Sequence, residues 1–441
     1  MIRLEQVLAR QHLTASTSRV RPRFKEIGSV CVRGPLLDHD REAGLCQVQA
    51  VLEAAYGYRA VEGGRLRRHA PSAGGLYPTE VLCVAWCSSG WTVLGYDFRV
   101  GRFREFPADA DALAAQCGLV PGRAALVLTS TLWRTVQRYG YRGYRYCLLD
   151  AGVVMGNLAA VASATEFEIS ALPQYLSDRI GTMLELPECE IVVGAVVFDC
   201  LAGSGGLAVR SPGTREPRIP LESAPRMAAE LERSIRLDRT LRSPGSPSGA
   251  VTLISRFPCA AGETIELLWA RRSARGFRRG FVDPDRFAAL RENVATLISA
   301  WPGAPGLRLG YLVRDQRLLP AGLEDRSMTR LLDADSEAIT RLFGNQPLLA
   351  DSDLFLIVGL PRAGGSERPA NFRPELLHCG VLASGVGLIA TATGSAHTIV
   401  GGFDDPALAS LFDQSMLPVM AIAFGGPSAR DTKNDTGPER E

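Results

Sequence analysis

The chain has almost no lysine. Of its 49 basic residues only Lys25 and Lys433 are lysines, so chemistry that needs a lysine has two candidates, both near the ends. Ten cysteines form no C-x-x-C pair, and five histidines (His12, His39, His69, His378, His397) form no H-x-x-H, which argues against a disulfide framework and a metal site. Cys83 and Cys87 lie four apart in VLCVAWC, where strand periodicity puts both on one buried face as reduced thiols of a cytoplasmic protein. A net charge of +2 supplies no field for nucleic acid or an anionic membrane. The opening MIRLEQVLARQHLTAS lacks the apolar run of a secretion signal. What is present is an ordinary soluble composition, 46% apolar and 22% charged, over 441 residues. At roughly 100–200 residues per domain, that length predicts two to four domains.

One stretch is apolar enough to suggest a membrane span. From Leu376 to His397 there is no Asp, Glu, Lys or Arg. Its Gly, Ser, Thr and His content instead suits a helix packed against protein on all sides.

An internal repeat settles that choice. LLDAGV (148–153) and LLHCGV (376–381) match at an offset of 228, which also aligns ASAT (162–165) with ATAT (390–393) and LVLTSTLWR (126–134) with LFLIVGLPR (354–362). AVVFDC (195–200) falls near AIAFGG (421–426) at an offset of 226. The first copy of the apolar helix carries Asp150 and Asn157 and is no membrane span, so neither is the second. Each copy reads in the same order. An early helix (Gln47–Tyr56; Asp285–Ile298) precedes a strand (Val81–Trp86; Arg308–Val313) and an amphipathic helix (Asp109–Cys117; Ser336–Phe343). A strand (Ala125–Ser130; Leu354–Gly359), the long apolar helix (Tyr146–Ala164; Leu376–Thr393), a short helix and a closing strand follow. The interleaving favours an α+β layered fold, a mixed central sheet flanked by helices, used twice. The expected domains are residues 1–202 and 263–426. Between them, 203–262 forms a Pro/Gly/Arg-rich linker with one helix (Ser223–Leu241), and 427–441 forms a disordered tail.

The copies differ in their polar motifs. RRHAPSAGGLYPTE (67–80) is a small-residue loop whose counterpart near WPGAPGL (301–307) is shorter and lacks the S-A-G-G run. RYGYRGYRY (138–146) aligns with SERPANFRP (366–374), where Tyr139 becomes Glu367 and Arg142 becomes Ala370. Conversely, the second half opens with RRSARGF (271–277), whose guanidinium forks and serine hydroxyl beside a helix N-terminus suit a phosphate. Taken alone, that run equally suits a solvated basic helix start. Each half keeps what the other lost.

PSAGGLYP, followed by Tyr-Gly-x-Arg-Gly-Tyr-Arg-Tyr before an apolar helix, resembles the nitroreductase superfamily. Within it the pattern is most similar to SagB-type azoline dehydrogenases, which make thiazoles and oxazoles in ribosomal peptides. RRSARGF and GGFDDPALASLF resemble motifs of the same superfamily, and the likeness spans roughly 30–200 and 263–426. The resemblance implies two tandem nitroreductase-like domains forming an intramolecular pseudo-dimer, monomeric as a chain, with one FMN site kept and one lost. It assigns FMN to Arg271, Arg272, Ser273 and Arg275 as a phosphate clamp and to Gly401 and Gly402 from the second half. Pro71, Ser72, Ala73 and Gly74 come from the first. It implies a lid with Arg138 and Tyr139 as catalytic residues, Arg138 standing where these dehydrogenases carry lysine. An arginine stays protonated, so the expectation is that its charge lowers the Tyr139 pKa and frees a phenolate as base.

The implied activity is oxidation of azolines to azoles in a peptide natural product. The peptide would be delivered by a cyclodehydratase or leader-binding partner, without nucleic acid or membrane. An NAD(P)H-dependent flavin reductase and a non-catalytic scaffold of a peptide-cyclising complex are the alternatives. Arg145 matches Arg373 across the repeat and so reads as structural as readily as functional, while Tyr58, Tyr77 and Tyr96 read as packing. Arg430 suits either a reach to the phosphate or the tail.

Overall fold

Two helices, Arg142–Ala164 and Phe372–Ala392, are apolar around most of their circumference, and such a helix must be covered on every side. Both are long and apolar enough to cross a membrane, yet most of each is buried inside the protein, where they lie against one another. The computed structural model describes residues 43–61, 65–87, 90–98, 101–165, 167–172, 174–186, 190–199, 251–252, 257, 261–301, 306–319, 328–361, 372–412 and 416–429.

In the first half the order is α1 (Ala43–Tyr56), β1 (Tyr58–Val61), β2 (Arg65–Arg68), β3 (Thr79–Cys87), β4 (Gly90–Asp97), β5 (Arg102–Glu105) and α2 (Ala110–Gln116). Next come β6 (Arg123–Thr131), α3 (Trp133–Tyr139), α4 (Arg142–Ala164), β7 (Ile169–Ala171), α5 (Gln174–Met183) and β8 (Glu190–Asp199). The remainder runs β9 (Val251–Thr252), α6 (Ala261–Ala270), β10 (Phe277–Arg278), α7 (Pro284–Ser299), β11 (Arg308–Val313) and β12 (Met328–Leu331). It closes with α8 (Ser336–Leu342), β13 (Leu354–Pro361), α9 (Phe372–Ala392), β14 (Ala396–Val400), α10 (Asp405–Ser410) and β15 (Met416–Pro427).

These strands make two large sheets, one per half. The first has the order β5-β4-β3-β6-β8-β7-β9 with antiparallel neighbours throughout. The second runs β10-β15-β13-β11-β12, with β14 also on β15, and is mixed because β11 and β12 are parallel. Strand alternation divides the apolar residues. Val81, Cys83, Leu126 and Leu128 of the first sheet, and Leu354, Leu356 and Val358 of the second, face one shared core around α4 and α9. Leu82, Val84, Ala125 and Val127 face outward under α2 and α5, while Phe355 and Ile357 face outward under α8. Cys83 and Cys87 are buried on the inner face.

The contact between α4 and α9 is reciprocal. A Cβ added at Gly152 would overlap the Leu377 carbonyl oxygen and lie 2.9 Å from Gly380 Cα. One added at Gly380 would overlap the Leu149 carbonyl oxygen and lie 2.8 Å from Gly152 Cα. Leu149 and Leu377, like Gly152 and Gly380, are 228 residues apart. Residue i touching j′ while j touches i′ is the mark of a twofold interface. The chain is therefore a pseudo-dimer within itself, its halves joined where two glycines let the helix backbones meet. Asn157 secures the crossing, accepting from Ser384 Oγ (2.6 Å) and donating to the Ala55 carbonyl (2.8 Å).

Most repeat elements fall where the sequence places them, with ends moved by a few residues. Asp109, Asp283, Asp335 and Asp404 cap α2, α7, α8 and α10 by accepting from backbone amides. Val251–Thr252, assigned to the linker, extend the first sheet as β9, and α6 starts at Ala261. The expected helix Ser223–Leu241 and residues 430–441 lie outside the described residues.

Candidate functional site

The segment after α6 runs without helix from Arg271 to Ala274. This corrects the expectation of a helix N-terminus: the arginine-serine run follows a helix C-terminus, whose exposed carbonyls repel an anion. Arg272 answers that end, its guanidinium donating to the Trp269 and Arg271 carbonyls. Arg271 is buried, 4% exposed, with Nη1 3.4 Å from Ser273 Oγ. Its Nη2 lies 3.4 Å from the His69 carbonyl, just ahead of the P-S-A-G-G loop of the other half. Ser273 and Arg275 are exposed. Ala274 N donates to the His397 carbonyl (2.8 Å), fixing the segment to β14. The buried His397 imidazole is pushed down to about 3 by desolvation and by the Arg271 charge, and stays neutral.

In the loop, Gly74 (φ 61°), Gly75 (φ 63°) and Tyr77 (φ 48°) all occupy the left-handed region, which is rare for a tyrosine. Hydrogen bonds hold this shape. Ser72 Oγ donates to Asp150 Oδ2 (2.7 Å) and accepts from Tyr77 N (2.9 Å). Ala73 N donates to the same carboxylate (3.2 Å), and Arg134 donates to the Tyr77 carbonyl (2.8 Å) and to Glu80 (2.7 Å). Burial pushes the Asp150 carboxyl up to about 7, with Ser72 and Ala73 opposing.

Arg138 and Tyr139, the residues expected to form a lid, approach the loop at Gly74. A Cβ on Gly74 would lie 2.6 Å from Tyr139 Oη and 3.0 Å from Arg138 Nη1, so only glycine lets them approach. Arg138 does act to lower the Tyr139 pKa, as expected from its charge, but burial outweighs it and the phenol is pushed up to about 12. The phenolate expectation is therefore corrected: at neutral pH Tyr139 is a hydrogen-bond donor.

Tyr139 meets the Tyr146 ring edge-on at 5.0 Å, and Tyr146 covers Gly401, where a Cβ would overlap its ring. Arg142 donates to the carbonyls of Gly401 (2.9 Å) and Phe403 (3.1 Å) and pairs with Asp405; Arg145 pairs with Asp405 at 3.0 Å. The first half's α4 thus grips the second half's Gly-Gly-Phe loop. Gly402 accepts from Gln346 through its carbonyl (3.2 Å). Arg373, the repeat partner of Arg145, bonds the Tyr144 hydroxyl instead, so matching positions do different work.

Contacts therefore join several of the predicted residues of both halves, from Ser273 through Arg271 to His69 ahead of residues 71–74, and from Gly74 through Tyr139 and Tyr146 to Gly401. Arg272 binds the end of α6 instead, and Arg275 is exposed. Sequence reasoning passed over Asp150, Tyr146, Arg142 and Asp405. Their signal was present, because Asp150 and Arg142 change to His378 and Ala370 across the repeat. At His378 the partner is the Trp301 ring, edge-on at 5.0 Å and 2% exposed, rather than a loop serine.

No family model and no curated protein matches the chain. Solved structures do. A protein from Anabaena variabilis, provisionally assigned as a nitroreductase, is 18% identical with a TM-score of 0.63, over 87% of this chain and 88% of that one. This likeness shows a nitroreductase-like fold. The Escherichia coli microcin synthetase complex McbBCD with truncated pro-MccB17 bound is matched at 20% identity and a TM-score of 0.32, over 43% of this chain and 73% of that one. A Staphylococcus epidermidis protein, provisionally assigned as an NAD(P)H:FMN oxidoreductase, gives 16% and 0.28, over 40% and 90%. Scores that low add nothing to the fold assignment.

Proposed function

We propose that the chain is an FMN-dependent dehydrogenase that oxidises azolines to azoles in a modified peptide. The observation that carries this reading is the meeting of the two halves at Arg271, whose Nη2 lies 3.4 Å from the His69 carbonyl ahead of the other half's small-residue loop and whose Nη1 lies 3.4 Å from Ser273 Oγ. The donor set fits the group: two guanidinium forks and a hydroxyl within five residues suit a phosphate. Arg271, Ser273 and Arg275 would hold it, while Arg272 caps α6. Pro71, Ser72, Ala73, Gly74, Gly401 and Gly402 would border the ring, where small residues let backbone come close. When bound, FMN supplies a two-electron acceptor for a hydride.

The chain's own residues orient the substrate and handle its proton. Tyr139 donates a hydrogen bond from the lid, and Arg138 sets a fixed positive charge beside it. A partner of cyclodehydratase or leader-binding type would deliver the peptide in the cytoplasm. The test is to incubate the flavin-loaded chain with a peptide carrying one internal thiazoline and follow its mass. Loss of two hydrogens supports the reading, and an unchanged thiazoline with reducible flavin refutes it.

The protonated state of Tyr139 favours one second reading, reduction of a nitro, quinone or unsaturated compound by NAD(P)H, because a reduction must deliver a proton. Rapid anaerobic bleaching of the flavin by NAD(P)H, with no action on thiazoline, would select it.

A further inference from the structure

We propose that Asp150, rather than the lid tyrosine, takes the proton from the substrate, at the azoline ring carbon next to the peptide carbonyl. This deepens the dehydrogenase reading and rests on it.

Asp150 is the only charged residue between Tyr146 and Ala164 of α4. Its neighbours Leu149 and Ala151 are buried, whereas Asp150 is half-buried and opens toward the loop. Ser72 Oγ and Ala73 N both donate to it. A carboxylate accepts about four hydrogen bonds, so these two donors fix its orientation and leave it capacity for a proton. The left-handed residues 74, 75 and 77 are held through the same network, because Tyr77 N donates to the Ser72 hydroxyl that donates to Asp150. Strain of this kind persists only where its surroundings enforce it, and it collects at working sites. Tyr139 and Arg138 approach the same loop at Gly74. Carboxylate, phenol and guanidinium therefore surround one short turn.

Chemistry divides the work between them. Burial raises Asp150 to about 7, so about half of it is ionised at neutral pH, near the optimum for a general base, whereas Tyr139 is raised to about 12. Among the described residues, the titratable groups around Asp150 are Tyr56 of α1, Tyr139 of α3 and Cys147 on α4 itself, all pushed upward and neutral. Arg138 is the charge at the lid, and Arg134 and Glu80 pair with each other behind the loop. The repeat supplies a second line of argument. The half without the loop has His378 at this place, packed on Trp301 and pushed down by burial to about 4. Carboxylate and loop are kept together and lost together.

The step is a proton transfer. The C–H bond at the ring carbon breaks and its proton bonds to an Asp150 oxygen. The electron pair stays on the carbon, delocalised into the peptide carbonyl and the ring C=N. No electron leaves the substrate, so this step needs no oxidant.

Isotope exchange reads the step without oxidation. The full chain, with its flavin chemically reduced under anaerobic conditions, is incubated in D2O with a peptide carrying one internal thiazoline, and deuterium at the ring carbon is measured by NMR against a protein-free control. Wild type should exchange, with a rate that rises with pH and levels above about 7. Asp150→Asn should lower the rate at least ~100-fold, the usual size of a general-base contribution, with flavin still bound. Tyr139→Phe, which removes a lid hydrogen bond and leaves the carboxylate in place, should lower the rate by less than Asp150→Asn does, ~10-fold at most. Wild-type exchange in flavin-bound D150N, or loss of exchange in Y139F alone, overturns the proposal, as does the absence of exchange from wild type. Should D150N lose flavin, the wild-type profile and Asp150→Glu decide. A rate that does not titrate between pH 6 and 8, or D150E without any exchange while flavin is bound, overturns it. The two readings fail separately. Wild type that exchanges but never loses two hydrogens with oxidised flavin refutes the dehydrogenase, whereas D150N that dehydrogenates like wild type refutes only the role of Asp150.

Discussion

Gly152→Ala tests whether the halves are joined by backbone contact. In a free helix this change stabilises by about 1 kcal/mol, because alanine loses less entropy on folding. Here the added methyl would overlap the Leu377 carbonyl and lie 2.9 Å from Gly380 Cα, and both obstacles are backbone that no rotamer change can move. The helices must separate, and a radial gap of ~0.5–1 Å forfeits a quarter to a half of the dispersion energy along the seam. Overpacking of this kind costs typically ~1–3 kcal/mol and more where both obstacles are backbone, so a cost of about 3–5 kcal/mol less the helix gain of about 1 leaves a net loss of about 2–4 kcal/mol. At about 2–4 °C per kcal/mol for domains of this size, the melting temperature should fall by roughly 5–15 °C. Gly181→Ala in α5 is the control. Its new methyl would meet only Val192 at 3.5 Å, so it should hold or raise the melting temperature. Thermal unfolding followed by circular dichroism gives both numbers. If Gly152→Ala melts at or above wild type, the close crossing does not exist.

Other outcomes follow from the same contacts. Asp405→Asn strands two guanidinium groups whose side chains are 10% and 3% exposed, and should cost about 3–5 kcal/mol by thermal or urea unfolding, loosening the Gly-Gly-Phe loop with it. Tyr139→Phe keeps the ring against Tyr146 but removes the lid's donor; flavin should remain bound while thiazoline oxidation falls at least ~10-fold, and undiminished turnover would refute a catalytic lid. The pH dependence of stability should split between two variants. His397 is depressed when folded, so its contribution is present above about 6.5 and lost as pH falls toward 3. Asp150 is raised, so its contribution is present below about 4 and lost as pH rises toward 7. Between pH 4 and 6.5 the two slopes oppose. Relative to wild type, Asp150→Asn should therefore gain stability as pH rises through that window and His397→Gln should lose it, which parallel melts at several pH values will show.

Much of the fold was legible because the repeat could be read without any structure. Helices with strong periodicity and an aspartate cap, such as α7 and α8, fell close to their expected places. The hairpin β1–β2 did not announce itself, since Arg-Leu-Arg-Arg has no strand alternation. It is ordered by Arg68, whose guanidinium lies over the rings of Tyr56, Tyr58 and Phe98 at 4.2–4.3 Å. The clamp was read from composition and its surroundings were misjudged, because no local signal separates a helix start from the residues that follow a helix end. Arg138 beside Tyr139 was read as a source of phenolate, since charge is visible in sequence and desolvation is not. Asp150 was seen as proof against a membrane and not as chemistry. Its role depends on Ser72, 78 residues away, and such pairing is written only in the fold.

Bound flavin per chain tests the central claim most directly. The purified full chain, saturated with FMN and freed of excess, is assayed for flavin absorbance against protein concentration. One site assembled from both halves predicts a ratio near one, abolished equally by Arg271→Ala in the second half and by Gly74→Leu in the first. A ratio of two, or no flavin at all, would contradict it.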